Sequence, residues 1–153
     1  LSLAGQDALL AVPDKKTGSM KATALFQTLD AALERERPSL LVLDTLADLH
    51  SGEENARVVA RSVSQMLRRL ALKHGVTILL LAHPSLTGMS SGSGLSGNTA
   101  WSNSARSRLY LKRIVGQDGE EAHPDARVLT NKKANYGPIG SEVNLRWRAG
   151  RFV

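Results

Sequence analysis

The sequence predicts an α/β protein: a mostly parallel sheet flanked by helices, followed by a β-rich antiparallel C-terminal part. Three observations predict it. SLLVLD (39–44) and VTILLLA (76–82) are continuous apolar runs, which read as strands covered on both faces. Between them lies an amphipathic stretch of about 20 residues, enough for a crossover helix. Beyond residue 104 the pattern changes to alternating segments separated by turns rich in Gly, Pro and Asp.

The elements follow in order. ALLAV (8–12), ended by Pro13, reads as a strand, and DKKTGS (14–19) as a turn. Ala22, Leu25, Phe26, Leu29 and Leu33 recur at helical spacing, with Ser19 as the N-cap and Pro38 as the limit. After the strand 39–44, Ser51 and Glu54 fit a capping box. Ala56, Val59, Ala60, Val63, Met66, Leu67, Leu70 and Ala71 then form one apolar stripe, and Gly75 stands where a left-handed cap ends a helix. Strand, helix, strand is a right-handed crossover with parallel strands. Asp44 and His83 therefore end their strands at the same sheet edge, where open α/β sheets bind ligands.

Residues 85–104 hold seven Ser and four Gly and no charge, which reads as a flexible loop with a short helix near Thr99 to Ala105. Residues 105–114, 126–133 and 142–148 read as strands, joined by GQDGEEAHPD and NYGPIG turns. There is no internal repeat. Residues 1–153 are expected to form a single partial domain with 105–153 as its β-rich end.

The net charge of +6 is uneven: residues 1–100 carry ten Lys/Arg against nine Asp/Glu, residues 101–153 ten against five. Such an excess favours polyanions, or is only a basic soluble surface. The chain has no cysteine, which excludes disulfides and cysteine metal sites. No apolar run approaches the roughly 20 residues of a membrane span. A cytoplasmic protein without membrane contact is expected. The apolar opening LSLAGQDALLAV, starting on Leu1, reads as a piece of a longer protein.

Four apolar residues followed by Asp44 form the local pattern called a Walker B. A rigid strand fixes one carboxylate, and Mg²⁺ needs only one or two beside phosphate oxygens and water. The same aspartate would serve equally to cap a nearby helix. His83 at the shared edge suits contact with a terminal phosphate, or is a plain surface histidine. The Gly/Ser loop offers backbone N–H groups to phosphates, or is a simple connection. Trp101 either stacks on a base or anchors packing, and Lys132 and Lys133 end a strand before a Gly-Pro turn.

Taken together, LLVLDTLADLHSGEENARVV, GVTILLLAHPSLTGMSSGSGLSGNTAWSNSARSRLYLKR and NKKANYGPIGSEVNLRW resemble the RecA-like ATPases of the plasmid RepA type, which include hexameric replicative helicases and phage proteins. The resemblance runs from about residue 5 to the end. It implies ATP and Mg²⁺ as cofactors, with Asp44 and Thr45 contacting them and Asp44 ordering the metal through water. It implies that His83 senses the γ-phosphate and that Lys133 reaches a neighbouring subunit's γ-phosphate. It places Ser91, Gly92, Ser93 and Gly94 in the loop that faces single-stranded DNA in a homo-oligomeric ring, expected to be a hexamer. Where relatives carry an arginine two residues beyond that lysine, this sequence has Asn135. No Gly-Lys pair occurs, so the phosphate-cradling G-x-x-x-x-G-K-[ST] loop is absent from these residues. The expected function is thus the C-terminal part of a DNA motor, inactive by itself. A non-hydrolysing DNA-binding or scaffold protein and an ATP-dependent regulator are the alternatives.

Overall fold

A computed structural model describes residues 7–116, 119–121 and 123–153. The beginning of the opening apolar run, and Gln117, Asp118 and Ala122 of the predicted turn, lie outside the described residues. The chain forms two compact units, residues 1–104 and 105–153.

In the first unit, β1 (Ala11–Pro13) pairs antiparallel with β2 (Met20–Ala22). Helix α1 spans Ala24–Glu36, so the predicted helix starts later than Ser19. Thr23, not Ser19, is its N-cap: the Thr23 hydroxyl accepts from the Phe26 N–H at 3.2 Å and donates to the Leu9 carbonyl at 2.7 Å. Met20 and Ala22 belong to a strand because the chain first doubles back on β1 in a hairpin, which helical spacing does not reveal.

β3 (Leu40–Leu43) and β4 (Thr77–Leu80) are parallel, with Leu40 opposite Thr77 and Leu43 opposite Leu80. α2 (Arg57–His74) connects them and ends on Gly75, whose φ of 63° is the left-handed conformation glycine adopts freely. The predicted capping box is not used: Ala56 is the N-cap and no side chain caps α2. The backbone of 51–56 is engaged elsewhere. Gly52 packs so tightly that an added Cβ would lie 2.9–3.0 Å from Val59 and Met20.

Leu43, Leu46, Val59, Ala60, Val63 and Leu67 form the main core, with Leu41, Ile78 and Leu80 packed against it. The other face of β3 and β4 is open: Leu40, Val42 and Leu79 are 51%, 49% and 42% exposed. The expectation of burial on both faces holds for one face only. An unbroken apolar run fits a two-sided strand, but here only alternate residues find partners.

Residues 85–104 contain the short helix expected near Thr99, α4 (Thr99–Ser104), and a second one that was not expected, α3 (Leu86–Ser90). The second unit is a four-stranded antiparallel sheet, β5 (Ser107–Arg113), β6 (Ala126–Ala134), β7 (Glu142–Arg148) and β8 (Arg151–Phe152), in sequential order. The three predicted strands are present, and β8 is an addition.

Candidate functional site

The parallel register fixes the edge. Leu81 N–H donates to the Leu43 carbonyl at 2.9 Å, and Leu46 N–H donates to the Leu81 carbonyl at 2.8 Å. Asp44 thus stands where β3 ends, beside the end of β4, and His83 follows two residues after Leu81. The peptide bond between Asp44 and Thr45 is cis. The Thr45 hydroxyl donates to the Leu81 carbonyl at 3.2 Å, tying the two strand ends together.

Asp44 is exposed, and among the described residues nothing pairs with its carboxylate. It caps no helix: the short turn Leu46–Asp48 begins after Thr45 without a side-chain cap, and α2 starts from Ala56. A free carboxylate at the end of a buried backbone ladder can accept ordered water around a cation. No cluster of three or more His, Cys, Asp or Glu able to hold a metal occurs among the described residues. The residues therefore suit a magnesium ion whose other ligands are water and phosphate oxygens, and not a cation caged by protein.

His83 is exposed and borders an open cavity of about 310 Å³, together with Glu54, Asn55, Pro84, Ser85 and Gly97. Glu54 and Asn55 were not legible as site residues. They reach the cavity because the segment before α2 is bound to the Gly/Ser stretch. Trp101 Nε1 donates to the Glu54 carbonyl at 3.1 Å, and Asn98 Nδ2 donates to the Asn55 carbonyl at 2.6 Å. Trp101 is only 8% exposed and stacks on His50, with centroids 5.5 Å apart and planes at 20°. It is a packing anchor, and base stacking by Trp101 is excluded by its burial.

His50 is 5% exposed, and neither ring nitrogen makes a hydrogen bond of ordinary geometry. Burial pushes its pKa down, while a Gly52 backbone group and the Glu54 carboxylate act in the opposite direction. The sequence offered no signal for this: His50 reads as a loop residue.

Ser91, Gly92, Ser93 and Gly94 lie together between α3 and α4. Gly92 and Gly94 have φ of 64° and 63°, and Gly94 N–H donates to the Gly88 carbonyl at 2.8 Å. The Ser91 hydroxyl lies 2.7 Å from the Thr87 carbonyl and 2.9 Å from Ser93 Oγ. Ser91 and Gly92 are exposed at the tip of this turn. The base of the turn is closed by Ser85, whose N–H and hydroxyl both donate to the Leu95 carbonyl, at 2.9 and 3.0 Å.

Lys133 belongs to the second unit. Its ammonium donates to the Ala105 carbonyl at 2.7 Å. In the same unit the Asn135 N–H donates to the Arg106 carbonyl at 3.0 Å. The Arg106 guanidinium lies 5.5 Å from the Tyr136 ring centroid and donates to the Tyr136 hydroxyl. Asp44, Thr45, His83 and the Ser91–Gly94 turn are thus all in the first unit, and Lys133 is in the second.

No curated protein matches the chain. Among solved structures, it is similar to a DnaB-like replicative helicase described with its interactions with primase, at TM-score 0.65 and 19% identity, covering 84% of this chain and 34% of that one. A second solved structure, an isolated ATPase domain, matches at TM-score 0.63 and 20% identity, over 84% of this chain and 50% of that one. The RadB recombinase matches at TM-score 0.55 and 16% identity, over 78% and 54%. The chain therefore spans between about a third and about half of these structures, and the likeness is one of fold, the RecA-like ATPase fold. The model of the AAA domain family matches residues 1–89, more than half of the 153. By that match the chain belongs to the AAA domain family.

Proposed function

We propose that this chain is the C-terminal part of a RecA-like ATPase motor that moves along single-stranded DNA as a homo-oligomeric ring. The observation that supports it most is the shared edge of β3 and β4, which carries the unpaired Asp44 carboxylate, the Thr45 clamp and the His83 cavity. Bound Mg²⁺ would neutralise phosphate charge at this edge. Asp44 would hold it through water, and Thr45 would keep the two strand ends in register. His83 would meet the terminal phosphate with an imidazole N–H, a contact that exists before hydrolysis and not after.

Lys133 would act across a subunit boundary, leaving the Ala105 carbonyl to place its charge near the transferring phosphoryl group. Arg106, whose carbonyl accepts from Asn135 and whose guanidinium meets Tyr136, is a cation placed beside the position where relatives carry the arginine. Ser91–Gly94 would offer backbone N–H groups to DNA. A phosphate-cradling loop must come from outside these residues, so the 153-residue chain by itself hydrolyses no ATP.

A second reading, a non-hydrolysing DNA-binding or scaffold protein or an ATP-dependent regulator, is favoured by Asn135 in the arginine position. ATP hydrolysis by a longer protein that supplies the loop, with and without single-stranded DNA, separates them. The motor reading expects DNA-stimulated turnover that His83→Ala uncouples from DNA. Absence of turnover with the loop present would leave the scaffold reading.

A further inference from the structure

The sheet of the second unit carries a basic array that none of these roles uses. On β7, Asn144, Arg146 and Arg148 alternate onto one face, and Arg148 stands directly across from Arg151 on β8. Same-face neighbours along a strand are about 6.8 Å apart, and cross-strand partners about 5 Å. Arg146 and Arg148 border an open cavity of about 540 Å³, lined also by Asn144 and His123 and otherwise by apolar residues, Val153 among them; among the described residues no Asp or Glu lines it. Of the nearby acids, Asp125 meets β7 through its backbone carbonyl, which accepts from the Trp147 N–H at 2.7 Å.

Two other acids of this unit are engaged elsewhere. Glu121 lies 2.7 Å from Arg127 and 3.4 Å from Arg113. Glu142 lies 3.8 Å from Lys112 and accepts from the Thr130 hydroxyl at 2.9 Å. Among the described residues no Asp or Glu side chain pairs with Arg146, Arg148 or Arg151, all three are exposed, and the Val153 oxygen at this edge accepts from the Arg146 backbone N–H at 2.8 Å. Three guanidinium groups on paired strands, with an imidazole and an amide beside two of them, offer more donors and more positive charge than one carboxylate can use, and suit the several oxygens of phosphate.

We propose that this cavity is a phosphate-binding site, formed by Arg146 and Arg148 with His123 and Asn144 at its wall, and supplemented by Arg151 on the strand position opposite Arg148. The site stands independently of the nucleotide edge and of the Ser91–Gly94 turn. Two sources share its chemistry: the phosphates of a nucleic-acid backbone and those of a free polyphosphate.

The test measures anisotropy of a labelled single-stranded oligonucleotide on the 153-residue chain between about 50 and about 200 mM salt, with pyrophosphate as competitor. Each arginine that neutralises a phosphate of a single strand contributes about 0.7 to the slope of log affinity against log salt. Arg146→Gln with Arg148→Gln should flatten the slope by about 1.4, and adding Arg151→Gln by about 2 in all. The triple Lys variant should keep the slope while weakening binding, because the charge stays and the fork is lost. Gln substitutions at exposed Arg68 and Arg69 on α2 are the control, and circular dichroism checks folding. If the oligonucleotide does not bind but pyrophosphate binds the parent and not the triple Gln variant, the site holds and its source is free polyphosphate. An unchanged slope in the triple Gln variant together with unchanged pyrophosphate binding overturns the proposal. An equal drop in the Arg68 and Arg69 control also overturns it. Weaker binding on altering Ser91–Gly94 should leave the slope difference between the parent and the triple Gln variant unchanged, so the two sites fail separately.

Discussion

Replacing His50 by Phe should stabilise the first unit, and the size of the gain follows from the geometry. The ring is 5% exposed, neither nitrogen makes a hydrogen bond of ordinary geometry, and it stacks on Trp101 at 5.5 Å. Burying polar atoms without partners costs about 1–3 kcal/mol. Phe removes that cost and keeps the aromatic stack, worth about 0.5–1.5 kcal/mol. Its larger ring costs part of the gain through crowding. The expected net is about 1 kcal/mol, or about 4–8 °C in Tm for a unit of about 100 residues.

The pH dependence gives a second, independent sign. Unfolded His50 titrates near its ordinary 6.5, and burial lowers the folded value. Between the two values the unfolded chain binds more protons. His50's contribution is therefore complete above 6.5 and is lost as pH falls below it. The gap between variant and parent should widen from about pH 7.5 to about pH 5.5, while the other histidines cancel in the comparison. Urea unfolding followed by Trp101 fluorescence in a Trp147→Phe background measures both. A loss of about 1 kcal/mol or more at the higher pH, with a constant gap across the range, would refute the reasoning.

Trp101→Ala should cost about 3–5 kcal/mol in urea unfolding followed by circular dichroism, whereas Leu72→Ala, at a residue 73% exposed, should stay within about 0.5 kcal/mol. The Asp30 carboxylate is held below its ordinary 3.8 by hydrogen bonds from Lys73 and then His74, at 2.7 and 2.6 Å. Its contribution is present above 3.8 and is lost as pH falls through the lower folded value, so Asp30→Asn should flatten the acid limb of a pH–stability curve. Val42→Thr with Leu79→Lys, a directly opposed pair on the open face of the parallel sheet, should reduce concentration-dependent self-association in sedimentation velocity.

The parallel pair and its connecting helix were legible because local signals agreed: two apolar runs, one long stripe and a glycine at the left-handed cap. That agreement also put Asp44 and His83 on one edge. What stayed hidden depends on pairings that no sequence pattern announces. β2 takes residues that look helical because β1 needs a partner. The capping box at Ser51 and Glu54 is set aside because the Ser51 N–H donates to the Ala11 carbonyl instead, at 3.4 Å. Glu54 comes to the His83 cavity without any motif to announce it, because the carbonyls of Glu54 and Asn55 receive Trp101 and Asn98. The arginines of β7 were visible only as net charge, since the short β8 strand that aligns Arg151 with Arg148 has no pattern of its own.

The most direct test of the nucleotide edge is single-turnover ATP hydrolysis by a longer protein containing the phosphate-cradling loop, comparing the parent with Asp44→Asn across a magnesium titration. Removal of one carboxylate that orders the metal should reduce the rate at least about 100-fold and shift the magnesium midpoint upward. A variant that hydrolyses ATP at the parental rate with the parental magnesium midpoint would contradict the assignment of this edge.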